Sequence, residues 1–266
     1  MHYELFDTHC HLTIDDLYPR REQVVADAAA AGVTRMITVA CVPDEWETAS
    51  AMRSDFPGVW VAASVHPHEA GKVGADDLDR LAGVWRRPGV VAAGEMGLDY
   101  HYDFSPRQVQ QLVFERQLEL AWDTGLPLVI HCREAHDDVV RLLEKHGYRG
   151  KPVVFHCFGG GPEEAADLRS RGWRVSFSGI LTFKKARQAQ AACAETPIDQ
   201  ILFETDAPYL SPEPVRNRRP NEPAYVAYTV RFAAQLRGET FETLAAASTG
   251  NAVKLFAPAE HGDHKP

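Results

Sequence analysis

Six strand-like apolar runs in this 266-residue chain end on side chains that can ligate a metal. The ligating positions are the Asp7-Thr8-His9-Cys10-His11 segment, His66, Glu95, His131, His156 and Asp206. His9 and His11, two apart, project from one side of an extended strand and can grip a single ion, with Asp7 on the same face. His131 and His156 each follow three apolar residues, Leu128-Val129-Ile130 and Val153-Val154-Phe155, which places them at strand ends. Glu95 emerges from Val90-Val91-Ala92-Ala93 between Gly94 and Gly97, glycines that permit close backbone approach and a sharp turn. Asp206 follows Ile201-Leu202-Phe203-Glu204-Thr205. Glu204 shares its parity, but Asp206 lies farther toward the strand end.

Four imidazoles and two carboxylates suit two divalent ions, one held by His9 and His11, the other by His131 and His156, with Glu95 between them. Asp206 can bind metal, orient its water and accept the proton. Two ions roughly 3.5–4 Å apart are a recurrent device for hydrolysing phosphoesters. Zn, Mn, Co, Fe and Mg are the candidate ions. The mixed nitrogen and oxygen set favours the first four over an all-oxygen Mg or Ca site.

Residues so scattered become neighbours only where the carboxyl ends of successive strands converge. Strands are expected at 4–8, 34–40, 59–65, 89–95, 127–131, 152–156, 173–178 and 200–205. Their continuous Val, Ile, Phe and Ala runs are those of parallel strands covered by helices. Helical stretches lie between them at 19–31, 43–55, 76–86, 105–124, 135–146, 162–171, 183–194 and 221–236. Ser105 is the expected N-cap of the fourth, with Pro106 in its first turn. Further helix is expected at 240–244 and 248–255. Eight β-then-α units in this length predict a single-domain (β/α)8 TIM barrel over residues 1–258, with a polar, disordered tail at 259–266.

Hydrophobic residues make up 45% of the chain, enough for a sizeable core. No apolar run approaches the roughly 20 residues of a membrane span, and no signal pattern opens the sequence, so a cytoplasmic location without membrane contact is expected. The net charge of −9 argues against avid nucleic-acid binding but does not exclude a nuclease, because bound cations supply local positive charge. Gly159-Gly160-Gly161 lacks the lysine and hydroxyl of a phosphate loop, no dinucleotide fingerprint follows the first strand, and no organic cofactor is expected. Five irregularly spaced cysteines give no disulfide framework. Cys10, Cys132 and Cys157, each following a candidate ligand histidine, are expected to face away from the site as small packing residues. The dispersed tryptophans show no interface stripe, which points to a monomer.

The chain resembles the TatD family of metal-dependent hydrolases within the amidohydrolase superfamily. The matching pieces are Asp7-Thr8-His9-Cys10-His11-Leu12, Val65-His66-Pro67-His68, Gly94-Glu95-Met96-Gly97-Leu98-Asp99-Tyr100 and His131-Cys132-Arg133. They continue with His156-Cys157-Phe158, Gly179-Ile180-Leu181-Thr182-Phe183-Lys184, Glu204-Thr205-Asp206-Ala207-Pro208-Tyr209-Leu210 and Asn221-Glu222-Pro223. The resemblance implies a TIM barrel with a binuclear metal site acting as a 3′-to-5′ deoxyribonuclease or related phosphodiesterase on DNA ends. It implies one ion on His9, His11, Glu95 and Asp206 and another on Glu95, His131 and His156. Glu95 and Asp206 are then the catalytic carboxylates, Asp206 as general base, and Arg133 and His66 contact the scissile phosphate.

Two departures stand out. Arg216-Asn217-Arg218-Arg219-Pro220 lacks the glycine of the family's Arg-Gly-Lys-like stretch, which leaves the role of Arg216, Arg218 and Arg219 open, and Ser64 replaces a common glycine. A metal-dependent ester hydrolase, such as a deacylase of aminoacyl-tRNA, would use the same centre. A phosphotriesterase or lactonase would bridge its metals with a carbamylated lysine, and none is found in the fourth or fifth strand. A non-catalytic barrel would have lost a ligand, yet all six are present.

Overall fold

The protein, described here from a computed structural model, is resolved into a single barrel over residues 3–256. The tail expected at 259–266 lies outside the described residues. Strands β1 (Leu5–Cys10), β2 (Val33–Ala40), β3 (Val59–Ala63), β4 (Val90–Asp99), β5 (Leu128–Arg133), β6 (Val153–Phe155), β7 (Arg174–Phe177) and β8 (Leu202–Phe203) lie side by side in chain order. Each pairs parallel to the next. Helices α1 (Arg21–Ala30), α2 (Pro43–Asp55), α3 (Ala75–Val84), α4 (Arg107–Trp122), α5 (His136–Lys145), α6 (Pro162–Ser170), α7 (Arg187–Glu195) and α8 (Val226–Arg237) follow the strands in turn, and α9 (Phe241–Phe256) ends the fold. This is the expected TIM barrel. No helix among the described residues is long and apolar enough to cross a membrane.

Successive side chains of a strand face opposite ways, so each strand feeds two apolar layers. Met36 and Ala40 of β2 join the layer between strands and helices. Ile37 and Val39 join an inner cluster with Phe6, Trp60, Val129 and Leu202. Helix α9 adds Ala252 and Phe256 to that inner cluster, with the Phe256 ring 6.3 Å from that of Phe6. Segments 240–244 and 248–255 therefore form one helix rather than two. Only alanines, Ala245 to Ala247, separate the two segments, and the buried polar residues of the second find partners: Thr249 bonds the Glu4 carbonyl, and Asn251 bonds those of Ile198 and Ile201.

Several boundaries differ from the sequence expectation, and each difference bears on the site. Strand β4 does not stop at Glu95 but runs to Asp99, because its pairing with β5 continues to Asp99–Arg133 through an irregularity between Gly94 and Met96. Gly94 and Gly97 have φ of +155° and +145°, and a Cβ on either would strike the backbone of Val129 or His131. The glycines let β4 press against β5 while Glu95 turns into the barrel mouth. Strand β8 is shorter than 200–205, since the Thr205 amide bonds the Asp7 carboxylate instead of a neighbouring strand. Ser105 does not cap α4; Pro106 holds that position, and the Ser105 hydroxyl ties the Gly71 amide to the His68 carbonyl.

The barrel closes where β8 meets β1. Cys10 pairs with Ala207, the Asp206 amide donates to the His9 carbonyl at 2.9 Å, and the His11 amide donates to the Ala207 carbonyl at 2.7 Å. Asp7, fully buried, completes this seam and does not join the metal donors. It accepts from the Thr205 amide at 2.9 Å and the Thr205 hydroxyl at 2.6 Å. Burial pushes its carboxyl up to about 8, against the hydrogen bonds from Thr205. Asp7→Ala strips three buried donors, the amide and hydroxyl of Thr205 and the amide of His9, of their acceptor and is predicted to lower stability by about 2–4 kcal/mol in denaturant unfolding. Asp7→Asn keeps the shape of a neutral carboxyl and should cost less at pH 7. Because the folded state raises this pKa from 3.8, the stabilisation is complete below about pH 4 and declines as pH rises toward 8. Stability of the unsubstituted protein should thus fall more steeply than that of Asp7→Asn between pH 5 and 8; parallel profiles would show that Asp7 is ionised.

Candidate metal centre

An open cavity of about 1360 Å³ occupies the carboxyl end of the barrel, with His11, His66, Glu95, His131, His156 and Asp206 in its lining. His9 lies beneath them, fully buried. A smaller hollow at the opposite end, beside Glu4, Arg35 and Trp60, carries no such set.

The structure brings all six expected ligands together in two groups that share Glu95. In the first, His9 Nε2 and His11 Nε2 converge at 3.3 Å. Asp206 Oδ1 stands 3.3 Å from His11 Nε2 and 3.7 Å from His9 Nε2, and Glu95 Oε2 is 3.2 Å from His9 Nε2. In the second, Glu95 Oε1 lies 2.7 Å from His131 Nδ1 and 2.6 Å from His156 Nε2, the two nitrogens being 3.5 Å apart. Donor atoms around a tetrahedral ion with bonds of about 2.1 Å sit about 3.4 Å from one another. The first group has that spacing, and its two imidazole nitrogens converge on each other and on the two carboxylate oxygens. The ligand atoms of His9, His11 and Asp206 all lie within 4.8 Å of one another, as do those of His9, Glu95 and His156. The residues therefore fit divalent ions by both spacing and donor chemistry.

Burial works against the charge of Glu95, but the fields of His156 and His66 and hydrogen bonds from His131 and His156 outweigh it and hold the carboxyl well below its ordinary range. Asp206 is lowered in the same way, its burial offset by the His11 hydrogen bond and the His9 and His11 charges. Burial prevails at His9, assisted by the His156 charge, and its imidazole is pulled below the ordinary value. It prevails again at His66, pushed down to about 4. It is outweighed at His11 by Asp206, at His131 by Asp99 and Glu95, and at His156 by Glu95 and Glu204, so these three are raised.

Several side chains that position the centre were not singled out from sequence. Asp99, fully buried, sits 3.0 Å from His131 Nε2 and 2.9 Å from His68 Nε2, so it orients the ring whose other nitrogen faces Glu95. The signal for it was its spacing of four from Glu95 along one strand. Glu204, weighed as a ligand, instead accepts from the Cys157 amide and stands 3.3 Å from His156 Nδ1, behind the ligand ring. Two glutamines on the buried side of α4 clamp backbone next to the site. Gln110 bonds both the amide and carbonyl of Asp99, and Gln117 those of Val65. Ser64 donates to the Glu95 carbonyl at 2.5 Å, a tie that glycine could not make. Asn221 bonds the carbonyls of Thr205 and Tyr209, bracing the loop that carries Asp206.

His66 Nε2 lies 3.3 Å from Glu95 Oε1, inside the site. Arg133 is exposed at the rim, its guanidinium 4.8 Å from the Tyr102 ring centre. Arg216, Arg218 and Arg219 are absent from the cavity lining; Arg216 instead stacks on Phe183 at 4.0 Å. The expectation for the cysteines needs correcting. Cys10 is buried away from the cavity, but Cys132 and Cys157 both line it. Strand β6 ends at Phe155, and at Cys157 φ is +48°, so strict alternation no longer governs where that side chain points.

Comparison with known proteins bears on what this centre does. A family model described as TatD related DNase matches residues 6–257. The chain is 38% identical over 252 residues to the uncharacterized metal-dependent hydrolase YabD of Bacillus subtilis (strain 168), covering 95% of this chain and 98% of that protein. It is 34% identical over 256 residues to the 3′-5′ ssDNA/RNA exonuclease TatD of Cronobacter sakazakii, covering 95% of this chain and 97% of the relative. The crystal structure of YJJV, a TatD homologue from Escherichia coli k12, superposes with a TM-score of 0.90 at 29% identity, covering 97% and 99% of the two chains. A eight-stranded barrel, a cluster of His, Asp and Glu side chains at its carboxyl end and a family match over nearly the whole length lead to one conclusion: the chain belongs to the TatD family and is a metal-dependent hydrolase.

Proposed function

We propose that this chain is a two-ion 3′-to-5′ exonuclease acting on single-stranded nucleic-acid ends, working as a cytoplasmic monomer. One observation carries the reading: the two oxygens of Glu95 face different donor groups, Oε2 toward His9 and Oε1 toward His131 and His156. A carboxylate so placed can join two ions rather than complete the shell of one. His9, His11, Glu95 and Asp206 would hold the first ion, and Glu95, His131 and His156 the second. Zn, Mn, Co, Fe or Mg held there would supply Lewis acidity, activating a water and offsetting the charge of a phosphodiester.

The chain's own side chains supply the rest. Asp206, held ionised beside His11, is placed to take the proton of the attacking water. His66, with its pKa pushed down to about 4, is neutral at physiological pH and serves the phosphate as a hydrogen-bonding group rather than a charge. Arg133 provides the fixed positive charge at the rim. The curated relative named as a 3′-5′ ssDNA/RNA exonuclease supports the substrate class.

Chelator-stripped protein titrated with Mn or Zn should take up two ions per chain by calorimetry, and His131→Ala one. Release of 3′ nucleotides from a single-stranded oligonucleotide should return with metal. In Glu95→Ala it should fall by more than about 100-fold, beyond the loss typical of residues that only orient a ligand. Asp99→Asn belongs to that milder group and should weaken metal affinity by about 10- to 100-fold without changing the stoichiometry. No nucleotide release with any of the five metals, from protein carrying two ions, would overturn the proposal.

A further inference from the structure

Four aromatic side chains among the described residues are exposed: Tyr102 at 48%, Phe104 at 68%, Trp122 at 45% and Tyr209 at 53%. Three of them stand at the mouth of the metal centre. Tyr102 and Tyr209 line the cavity. Phe104 stacks on Tyr102, with ring centres 5.2 Å apart and planes 11° from parallel. Exposed apolar rings grouped at one site indicate something that covers them.

The rings lie on opposite flanks of the ligand cluster. Tyr102 and Phe104 belong to the loop after β4 and meet His68 edge-on at 5.6 Å and 4.8 Å; His68 in turn shares Asp99 with His131. They thus extend outward from the His131 and His156 group. Tyr209 follows β8 and meets His11 edge-on at 5.9 Å, so it extends outward from the His9, His11 and Asp206 group. The backbone braces both positions. Gln110 fixes Asp99 and Ser105 on either side of Tyr102 and Phe104, and Asn221 holds the Tyr209 carbonyl. The Arg133 guanidinium over Tyr102 adds a cation to the first platform.

The geometry points to a pair of base-stacking platforms, Tyr102 with Phe104 on one side and Tyr209 on the other, that seat the two unpaired bases flanking the scissile phosphate. This inference rests on the exonuclease reading and names how that site takes its substrate. Rings that present faces without a donor or acceptor pattern bind any base, because every base has a π-face. Bases already paired in a duplex cannot turn onto them. The platforms therefore account for a preference for single strands without a preference for sequence, in a chain whose net charge of −9 gives no general attraction to nucleic acid.

The test uses the Mn-loaded enzyme and oligothymidylate. Three substrates are compared: the natural strand and two strands in which an abasic residue replaces one nucleotide flanking the scissile bond, either the terminal or the penultimate. Stacking on an aromatic ring is worth enough that Phe104→Ala and Tyr209→Ala should each raise KM by about 5- to 150-fold, with the loss falling on KM rather than kcat. Each variant should also become indifferent to the abasic residue at one position, a different position for each, since ring and base then share one interaction. Phe104→Trp should retain the KM of the unsubstituted enzyme. Thermal melting and two-ion stoichiometry report whether the variants are intact. Unchanged KM in both alanine variants, or equal penalties on natural and abasic strands, would overturn the platforms while leaving the nuclease reading standing. Failure of the unsubstituted holoenzyme to release any nucleotide would overturn both.

Discussion

The junction between the last strand and the first is the contact on which the remainder of the molecule depends. Its hydrogen bonds close the barrel, and the same bonds set Asp206 beside His9 and His11. A parallel sheet of eight strands has two edges with unpaired backbone groups, and only closure removes them. Here closure is achieved with little regular strand: β8 pairs with β7 over two residues, and the seam is completed by the Asp7 carboxylate bonding Thr205. Asp206 adopts φ of +57°, a left-handed conformation that a non-glycine residue holds only when its surroundings impose it. Closing the barrel and placing Asp206 beside His9 and His11 are thus one arrangement.

A cluster of imidazoles and carboxylates at the end of a barrel opposes folding, because desolvation penalises each charge. The chain offsets this by setting imidazoles against carboxylates within the cluster and by holding the backbone that carries them from behind. Gln110 and Gln117 sit seven residues apart on α4, two helical turns, so one helix face clamps Asp99 and Val65 at once. Asp99 and Glu204 stand behind His131 and His156 as carboxylates stand behind metal-binding histidines generally, fixing which ring nitrogen faces the site. Ser64 adds a bond to the Glu95 carbonyl at the point where β4 is irregular.

The division between what anchors and what selects follows the same geometry. The proposed ligands sit on strands or just after them, where the barrel holds them rigid, whereas Tyr102, Phe104, Arg133 and Tyr209 sit on the loops or rims beyond them. Strand ends tolerate little displacement and suit chemistry; the loops after them vary freely and suit recognition. The basic stretch at Arg216, Arg218 and Arg219 lies off the cavity lining.

Much of this was legible in the sequence alone. Eight apolar runs alternating with stretches that suit helices favour a closed parallel barrel, because strands buried on both faces need helices outside and neighbours on both edges. The candidate ligands were visible for the same reason: histidines and acids closing several apolar runs of one barrel are brought to one end of it. What sequence periodicity does not encode is departure from regular structure. The irregularity that turns Glu95 inward, the left-handed turns at Cys157 and Asp206, and the recruitment of Asp7 to the seam rather than to the cluster of candidate ligands all come from contacts between residues far apart in the chain. Asp99 is the clearest case. Its spacing placed it on the strand, but only the packing of β3, β4 and β5 brought His68 and His131 to its carboxylate. Local pattern determined which residues could do chemistry, and long-range packing decided which of them face one another.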